Sequence, residues 1–302
     1  MKYKKYINNS INISEIGLGA WQLGQNSGWK SMSKIEAINL VHQSLDLGIN
    51  FFDTAPNYGH GTGEERLGKA LKNVDRNTIV INTKFGHTHN GLLNFNSNHI
   101  RESLEGSLKR LQVDYVDSLI IHNPPSQYFD GNKNDHYEIL DKLIDEGKIK
   151  AYGASLDTYD DMKLLMETTN SKVMEVFFNI FHQDTLQGFK QAQQNDIGII
   201  VKIPLDSGWL SGKYNAESVF NDIRSRWSKK EIETRAELVN KVRSIIGPEE
   251  NMAQKAIAFC LAYNAVSTVI PGNLNLEQLT SNVKSTESLM SQDLKQKLEN
   301  LY

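Results

Sequence analysis

Three apolar, strand-like stretches each end at a residue able to handle protons: Asp53 in INFFDTAPNYG, Lys84 in IVINTKFG and His122 in VDSLIIHNPP. Tyr58, five residues after Asp53, adds a phenol. A phenol with a pKa of about 10 is a weak acid near neutrality, and a neighbouring ammonium brings that value down. Lys84 is the ammonium available for this, and Asp53 supplies the counter-charge that keeps a buried lysine protonated. His122 can share a proton with a carbonyl oxygen held beside Tyr58. Such a site protonates an oxygen while something else attacks the carbon. The only cysteine, Cys260, lies in a helical run and no serine has a nucleophile-elbow context. Hydride from a bound nicotinamide is the economical attacker.

Separations of 31 and 38 residues join these positions only if successive strands converge. An α/β barrel does this, because the C-terminal ends of its strands meet at one mouth. The order of elements fits. KKYI and INIS around Asn8, Asn9 and Ser10 read as a short hairpin. Ser33 with Glu36 forms a capping box that opens a helix running to about Gly48. Further helices are expected at about 64–73, 98–112, 135–146, 158–168, 185–195 and 251–264, with an additional one at 228–246 and a closing one in MSQDLKQKLENLY. Between them lie IGLGA, the INFFD segment, IVINTK, VDSLIIH, IKAYGAS, VMEVFF, GIIVKIP and STVIP. These near-continuous apolar runs suit parallel strands covered on both faces. The expected fold is an α/β (β/α)8 TIM barrel with an N-terminal β-hairpin and extra C-terminal helices, as one domain over 1–302.

The 302 residues, 39% hydrophobic and 23% charged, are enough for one large core. A net charge of −3 with scattered lysines and arginines argues against nucleic acid. No apolar run reaches the length of roughly 20 residues that spans a bilayer, and MKYKKYINNS has no apolar region behind its lysines, so a cytoplasmic location away from membranes is expected. A lone cysteine fits a reducing compartment. His87, His89 and His99 lie in a loop rich in glycine and asparagine without a nearby cysteine or carboxylate, and no metal site is expected.

Seven segments in order, IGLGAWQLG, GINFFDTAPNYGHGTGEERLGKAL, the strand ending at Lys84, SLKRLQVDYVDSLIIH, DEGKIKAYGAS, IPLDSGWLSGKY and STVIPGNLNLEQLTSN, make the chain resemble the aldo-keto reductase superfamily over almost its whole length. The resemblance implies oxidoreductase activity on an aldehyde, ketone or sugar, with Asp53, Tyr58, Lys84 and His122 as the catalytic residues. It implies NADP as cofactor, with NAD possible, held without a Rossmann fingerprint. The implied cofactor contacts are Ala20, Trp21, Asp53, Ser155, Glu175, Lys202, Pro204, Leu205, Ser211, Gly212, Lys213, Gly272, Gln278 and Asn282. Arg224 and Arg226 could clamp phosphate, and Trp21, Trp29, Tyr58, His122 and Asn123 could face substrate. The resemblance leaves oligomeric state open. It also admits a regulatory alternative, a cofactor-binding protein similar to potassium-channel β-subunits.

Four positions depart from that superfamily's pattern. Relatives often have asparagine after the serine matched by Ser155, glutamine at Glu175, an aromatic ring at Lys202, and a basic residue in the last loop where Gly272, Leu274 or Gln278 stand here. The first three departures surround the expected nicotinamide and the fourth its 2′-phosphate. Glu175 and Lys202 fall on successive strands, and the expectation is that they form an ion pair.

Overall fold

The computed structural model describes residues 1–7, 12–24 and 31–301. The hairpin turn at Asn8, Asn9 and Ser10 and the candidate Trp29 lie outside the described residues. A short antiparallel ribbon comes first, β1 (Tyr3–Lys4) with β2 (Ile13–Ser14). Eight parallel strands follow: β3 (Leu18–Gly19), β4 (Phe51–Asp53), β5 (Val80–Phe85), β6 (Val116–Ile121), β7 (Ile149–Leu156), β8 (Val173–Phe177), β9 (Gly198–Lys202) and β10 (Val266–Ile270). They pair strictly in chain order. A parallel bridge between Ile16 and Val269 links the two edges, which leaves the barrel nearly closed.

Helices alternate with the strands because each crossover must return the chain to the same end of the sheet. They are α1 (Lys34–Asp46), α2 (Thr62–Leu71), α3 (Asn98–Leu111), α4 (His136–Asp145), α5 (Tyr159–Thr168), α6 (Phe189–Gln194), α7 (Lys229–Ile246), α8 (Met252–Leu261), α9 (Leu276–Lys284) and α10 (Gln292–Glu299). The Ser33 and Glu36 capping box is present. Two details differ from the sequence reading. The stretch expected to be helical from 185 begins as a 3-10 segment, Asp184–Gly188, before α6. α9 was not expected, although Asn275 caps it by accepting from the Gln278 N–H, a signal present in NLEQ.

Two apolar layers result from the period-two alternation of the strands. The outer one packs strands against helices. The inner one fills the barrel with Tyr6, Ile7, Ile13, Phe51, Val80, Ile120, Ala151, Val173 and Ile200. Stepping two residues along the inward positions from Phe51, Ile120, Val173 and Ile200 reaches Asp53, His122, Glu175 and Lys202. Four residues on from Val80 and from Ala151 stand Lys84 and Ser155. The inner face is therefore largely apolar toward the bottom and charged at the C-terminal rim.

Candidate active site

Lys84 is completely buried at the end of β5, and its ammonium lies 2.5 Å from Asp53 Oδ1 and 3.0 Å from Glu175 Oε2. It also donates to the Thr54 carbonyl at 3.1 Å. Burial alone would pull the Lys84 pKa down, but the two carboxylates outweigh it and raise it. Asp53 moves the other way: burial first, then the Glu175 carboxylate, push it up to about 7 against the pull of Lys84. Glu175 is held below its ordinary value because Lys84 and Lys202 outweigh its own burial.

Tyr58 sits on the turn after β4, its ring centroid 5.4 Å from the Lys84 ammonium. The turn is fixed at both ends, with Tyr58 N–H donating to Ala55 O at 3.2 Å and its carbonyl accepting from Gly63 N–H at 2.9 Å. Gly59 follows with φ +59°, where a Cβ would lie 1.8 Å from Gly24 O. Only glycine lets this turn press against the loop after β3. The His122 ring stands edge-on to Tyr58, with centroids 5.9 Å apart. The four residues expected from the sequence thus converge. One electrostatic expectation is corrected: burial pushes the Tyr58 phenol above its ordinary value, and Lys84 offsets that rise without reversing it. Burial, then Lys84, His87 and Lys202, lower the His122 pKa well below the usual histidine value, so the imidazole is neutral at pH 7. Its Nδ1 is buried and has no hydrogen-bond partner among the described residues.

The expected ion pair between Glu175 and Lys202 is absent. Glu175 pairs with Lys84, while Lys202 pairs with Asp157 at 2.7 Å. The two are joined indirectly through the Ser155 hydroxyl, which is 3.1 Å from Glu175 Oε1 and accepts from Lys202 Nζ at 2.9 Å. Lys84, also buried and nearer, is the stronger partner for a desolvated carboxylate, and Lys202 is long enough to reach the half-exposed Asp157. Asn123, a substrate-facing candidate, is exposed at the rim and accepts from Ser155 at 2.6 Å and from Lys202 at 2.5 Å. It brings a side-chain amide beside Ser155, where the following residue is Leu156.

Residues below the rim escaped the sequence reading. Asp53 Oδ1 accepts from Asn82 at 2.6 Å, Asn82 Oδ1 accepts from Ser118 at 2.5 Å, and Ser118 Oγ meets the Tyr6 hydroxyl at 2.8 Å. This buried polar column runs from the barrel floor to the Lys84 cluster. Its signal was available, since Asn82 and Ser118 interrupt apolar strands two residues before Lys84 and four before His122.

The remaining candidates are more spread out. Ala20 N–H donates to Asp53 O at 2.7 Å, which puts the first loop beside β4, and Trp21 follows it half-buried. Pro204 and Leu205 continue from Lys202, after Ile203 at φ +54°. Ser211 donates to Gly208 O at 2.6 Å, Gly212 has φ +73°, and Lys213 is exposed. Arg224 is engaged by Asp222 and Tyr214 and lies against Phe220. Arg226 donates to Ile223 O at 2.7 Å and covers Trp227. In the last loop Gly272 is exposed, Gln278 Oε1 accepts from Leu274 N–H at 2.9 Å, and Asn282 donates to Asn273 Oδ1 at 2.8 Å. Of the loop histidines, His87 stacks near His122 at 4.4 Å and His99 pairs with Glu102 at 3.0 Å.

A barrel whose rim gathers a phenol, an ammonium, carboxylates and a neutral imidazole has the groups to move a proton at a carbonyl or alcohol oxygen. The aldo/keto reductase family model matches residues 15–302, and the chain belongs to that family, whose members generally use nicotinamide cofactors. The aldo-keto reductase YhdN of Bacillus subtilis is 32% identical over 74% of this chain and 69% of its own. A probable voltage-gated potassium channel subunit beta of Arabidopsis thaliana is 28% identical over 95% of this chain and 92% of its own. Among solved structures, the holo form of aldo-keto reductase AKR11C1 from Bacillus halodurans superimposes with a TM-score of 0.84 at 24% identity, covering 100% of this chain and 96% of that one. This last likeness concerns the fold.

Proposed function

We propose that the protein transfers hydride reversibly between a nicotinamide dinucleotide and an aldehyde, ketone or sugar carbonyl, with Tyr58 as the proton donor in reduction and acceptor in oxidation. The observation that carries this is the convergence of Tyr58, Lys84, Asp53 and His122 at one rim. The bound nicotinamide supplies the hydride; the protein supplies everything that happens at oxygen. Tyr58, kept protonated by burial, has a proton to give. His122, neutral and with a buried Nδ1 that has no partner among the described residues, is suited to orient the carbonyl without adding charge. Lys84 stabilises the phenolate left behind, and Asp53 holds Lys84.

The rim also fits the cofactor's polar end. Ser155, Asn123 and Glu175 place a hydroxyl, an amide and a carboxylate within one hydrogen-bonded cluster, a set able to bind a carboxamide. Lys202, Pro204, Leu205 and the segment from Ser211 to Lys213 would continue the contact toward the pyrophosphate, and Gly272, Gln278 and Asn282 toward the adenosine. NADP is the first assignment, on its frequency in the family, and NAD is the alternative that the last loop favours by offering no basic side chain at Gly272, Leu274 or Gln278. A cytoplasmic location is part of this reading; among the described residues, no helix is long and apolar enough to cross a membrane.

Similarity to a potassium-channel subunit supports a second reading, a cofactor-binding regulator. A steady-state screen of sugars, short aldehydes and keto acids with both cofactors, in both directions, separates the two. Turnover that Tyr58→Phe abolishes supports the enzyme. Cofactor binding with no turnover above that of Tyr58→Phe supports the regulator.

A further inference from the structure

Lys84 has one more carboxylate than it needs. Asp53 at 2.5 Å already neutralises it, yet Glu175 stands at 3.0 Å on its other side, 3% exposed. The groups facing this trio from the surrounding elements do not cancel the excess. Lys202, from β9, is closed off by Asp157 at 2.7 Å, and meets Glu175 only through Ser155. His122 and His87, beyond β6 and β5, are held uncharged by burial and by the lysines. Tyr58 above and Tyr6 below are kept as neutral phenols by burial. With both carboxylates ionised, Asp53 and Glu175 share the single ammonium of Lys84, one negative charge too many among these buried groups. An amide at 175 would leave the trio neutral.

Taking the reading above, in which a nicotinamide binds at this rim, we propose that Glu175 is a second counter-ion of Lys84 that matches the site to the positively charged, oxidised ring, so that the oxidised cofactor binds in preference to the reduced one. Only the oxidised ring carries the positive charge that completes the balance. When an alcohol is oxidised, its carbon-bound hydride passes to the ring, its hydroxyl proton leaves through Tyr58 to solvent, and the surplus negative charge becomes uncompensated again. Without the ring's positive charge a proton serves instead, held on Asp53, whose pKa burial and the Glu175 carboxylate push up to about 7. Binding of the oxidised cofactor should expel that proton, whereas binding of the reduced cofactor should retain it.

Dissociation constants for oxidised and reduced NADP and NAD, read by fluorescence titration and calorimetry, test this in the wild type and in Glu175→Gln. At pH 8 the wild type should favour the oxidised form, relative to the variant, by about tenfold or more, the scale of a unit charge a few ångströms away in a partly buried site. At pH 5.5 the gap should shrink. Proton release measured in weak buffer near pH 6.5 needs no variant, and decides the matter if Glu175→Gln does not fold. Release on binding the oxidised but not the reduced form supports the inference. Equal release with both forms, or an affinity ratio unmoved by Glu175→Gln at pH 8, overturns it while leaving the oxidoreductase reading intact. A wild type that binds neither cofactor overturns both.

Discussion

Tyr58 combines two opposing influences, burial that keeps its proton on and the Lys84 ammonium that draws it off. Removing only the hydroxyl tests its role most directly. Tyr58→Phe should lower kcat by on the order of a hundredfold or more, with cofactor dissociation constants almost unchanged. An unaltered kcat under chemistry-limited conditions would remove Tyr58 from the mechanism. The carboxylates around Lys84 make a separate prediction on stability. Folding raises the Asp53 pKa to about 7 from 3.8, so the fold prefers the protonated acid. That contribution is complete below about pH 4 and is lost as pH rises through about 7. Glu175, shifted downward, stays ionised across this window. Since Glu175 helps raise Asp53, urea unfolding of Glu175→Gln should show the variant gaining on the wild type between pH 5 and pH 8. Parallel stability curves for the two proteins would contradict a proton held on Asp53 by the Glu175 charge.

The rim depends on how β7 and β8 lie together, because Ser155 pairs across this ladder with Glu175. Gly153 allows the close approach: a Cβ there would meet Val173 O at 1.6 Å, with backbone on both sides unable to yield. Gly153→Ala should destabilise by several kcal/mol or prevent folding, well beyond the ordinary range for a surface change. A thermal midpoint within two or three degrees of the wild type would refute this. Strain of the opposite consequence sits at the end of β9. Ile203 is 42% exposed and adopts φ +54°, a left-handed conformation poorly suited to a β-branched side chain. Its carbonyl accepts from Asn179 at 2.9 Å, and that bond helps hold the turn. Ile203→Asn relieves the side-chain conflict and keeps the bond, so it should stabilise the protein by about 1 kcal/mol. A loss of stability of similar size would place the strain elsewhere.

Opposite the rim, one carboxylate ties three strands of the barrel to one another. Asp117 of β6 accepts from Arg76 at 2.6 Å, from Lys150 of β7 at 2.8 Å and from the Ile81 N–H of β5 at 2.9 Å, and is 2% exposed. Asp117→Ala leaves the Ile81 N–H buried without its acceptor and Arg76 without its partner. The expected loss is about 2–4 kcal/mol, discounted for the partial exposure of both cations, measured by chemical denaturation. Activity per folded molecule should survive, because the ladder above is intact. At the other extreme of the molecule, the last loop should give only modest preference for NADP over NAD. Leu274→Arg should strengthen NADP binding by about 1 kcal/mol through a charge-assisted bond. A wild type already thousands-fold selective for NADP would assign the 2′-phosphate to another cation.

Alternation and element order are local properties, and they were enough to predict the hairpin strands, the eight parallel strands and the inward, C-terminal placement of Asp53, Lys84 and His122. The capping box at Ser33 was legible for the same reason, since it involves residues three apart. α9 was missed despite a comparable cap at Asn275, in a segment too short for a strong periodic signal. What the sequence could not supply was which rim residues share a level and at what distance, because strand register and the reach of each side chain are set across the whole barrel. Glu175 and Lys202 are adjacent along the strand order, yet the charge each answers is elsewhere: Lys84 from β5 reaches across the mouth to Glu175, and Asp157 takes Lys202. The Tyr6, Ser118, Asn82 and Asp53 column likewise exists only once β1 and β2 close the floor beneath β5 and β6. The kinds of group at the rim are written in the chain, whereas their pairing, and so the surplus charge, follows from desolvated ions choosing the nearest partner in three dimensions.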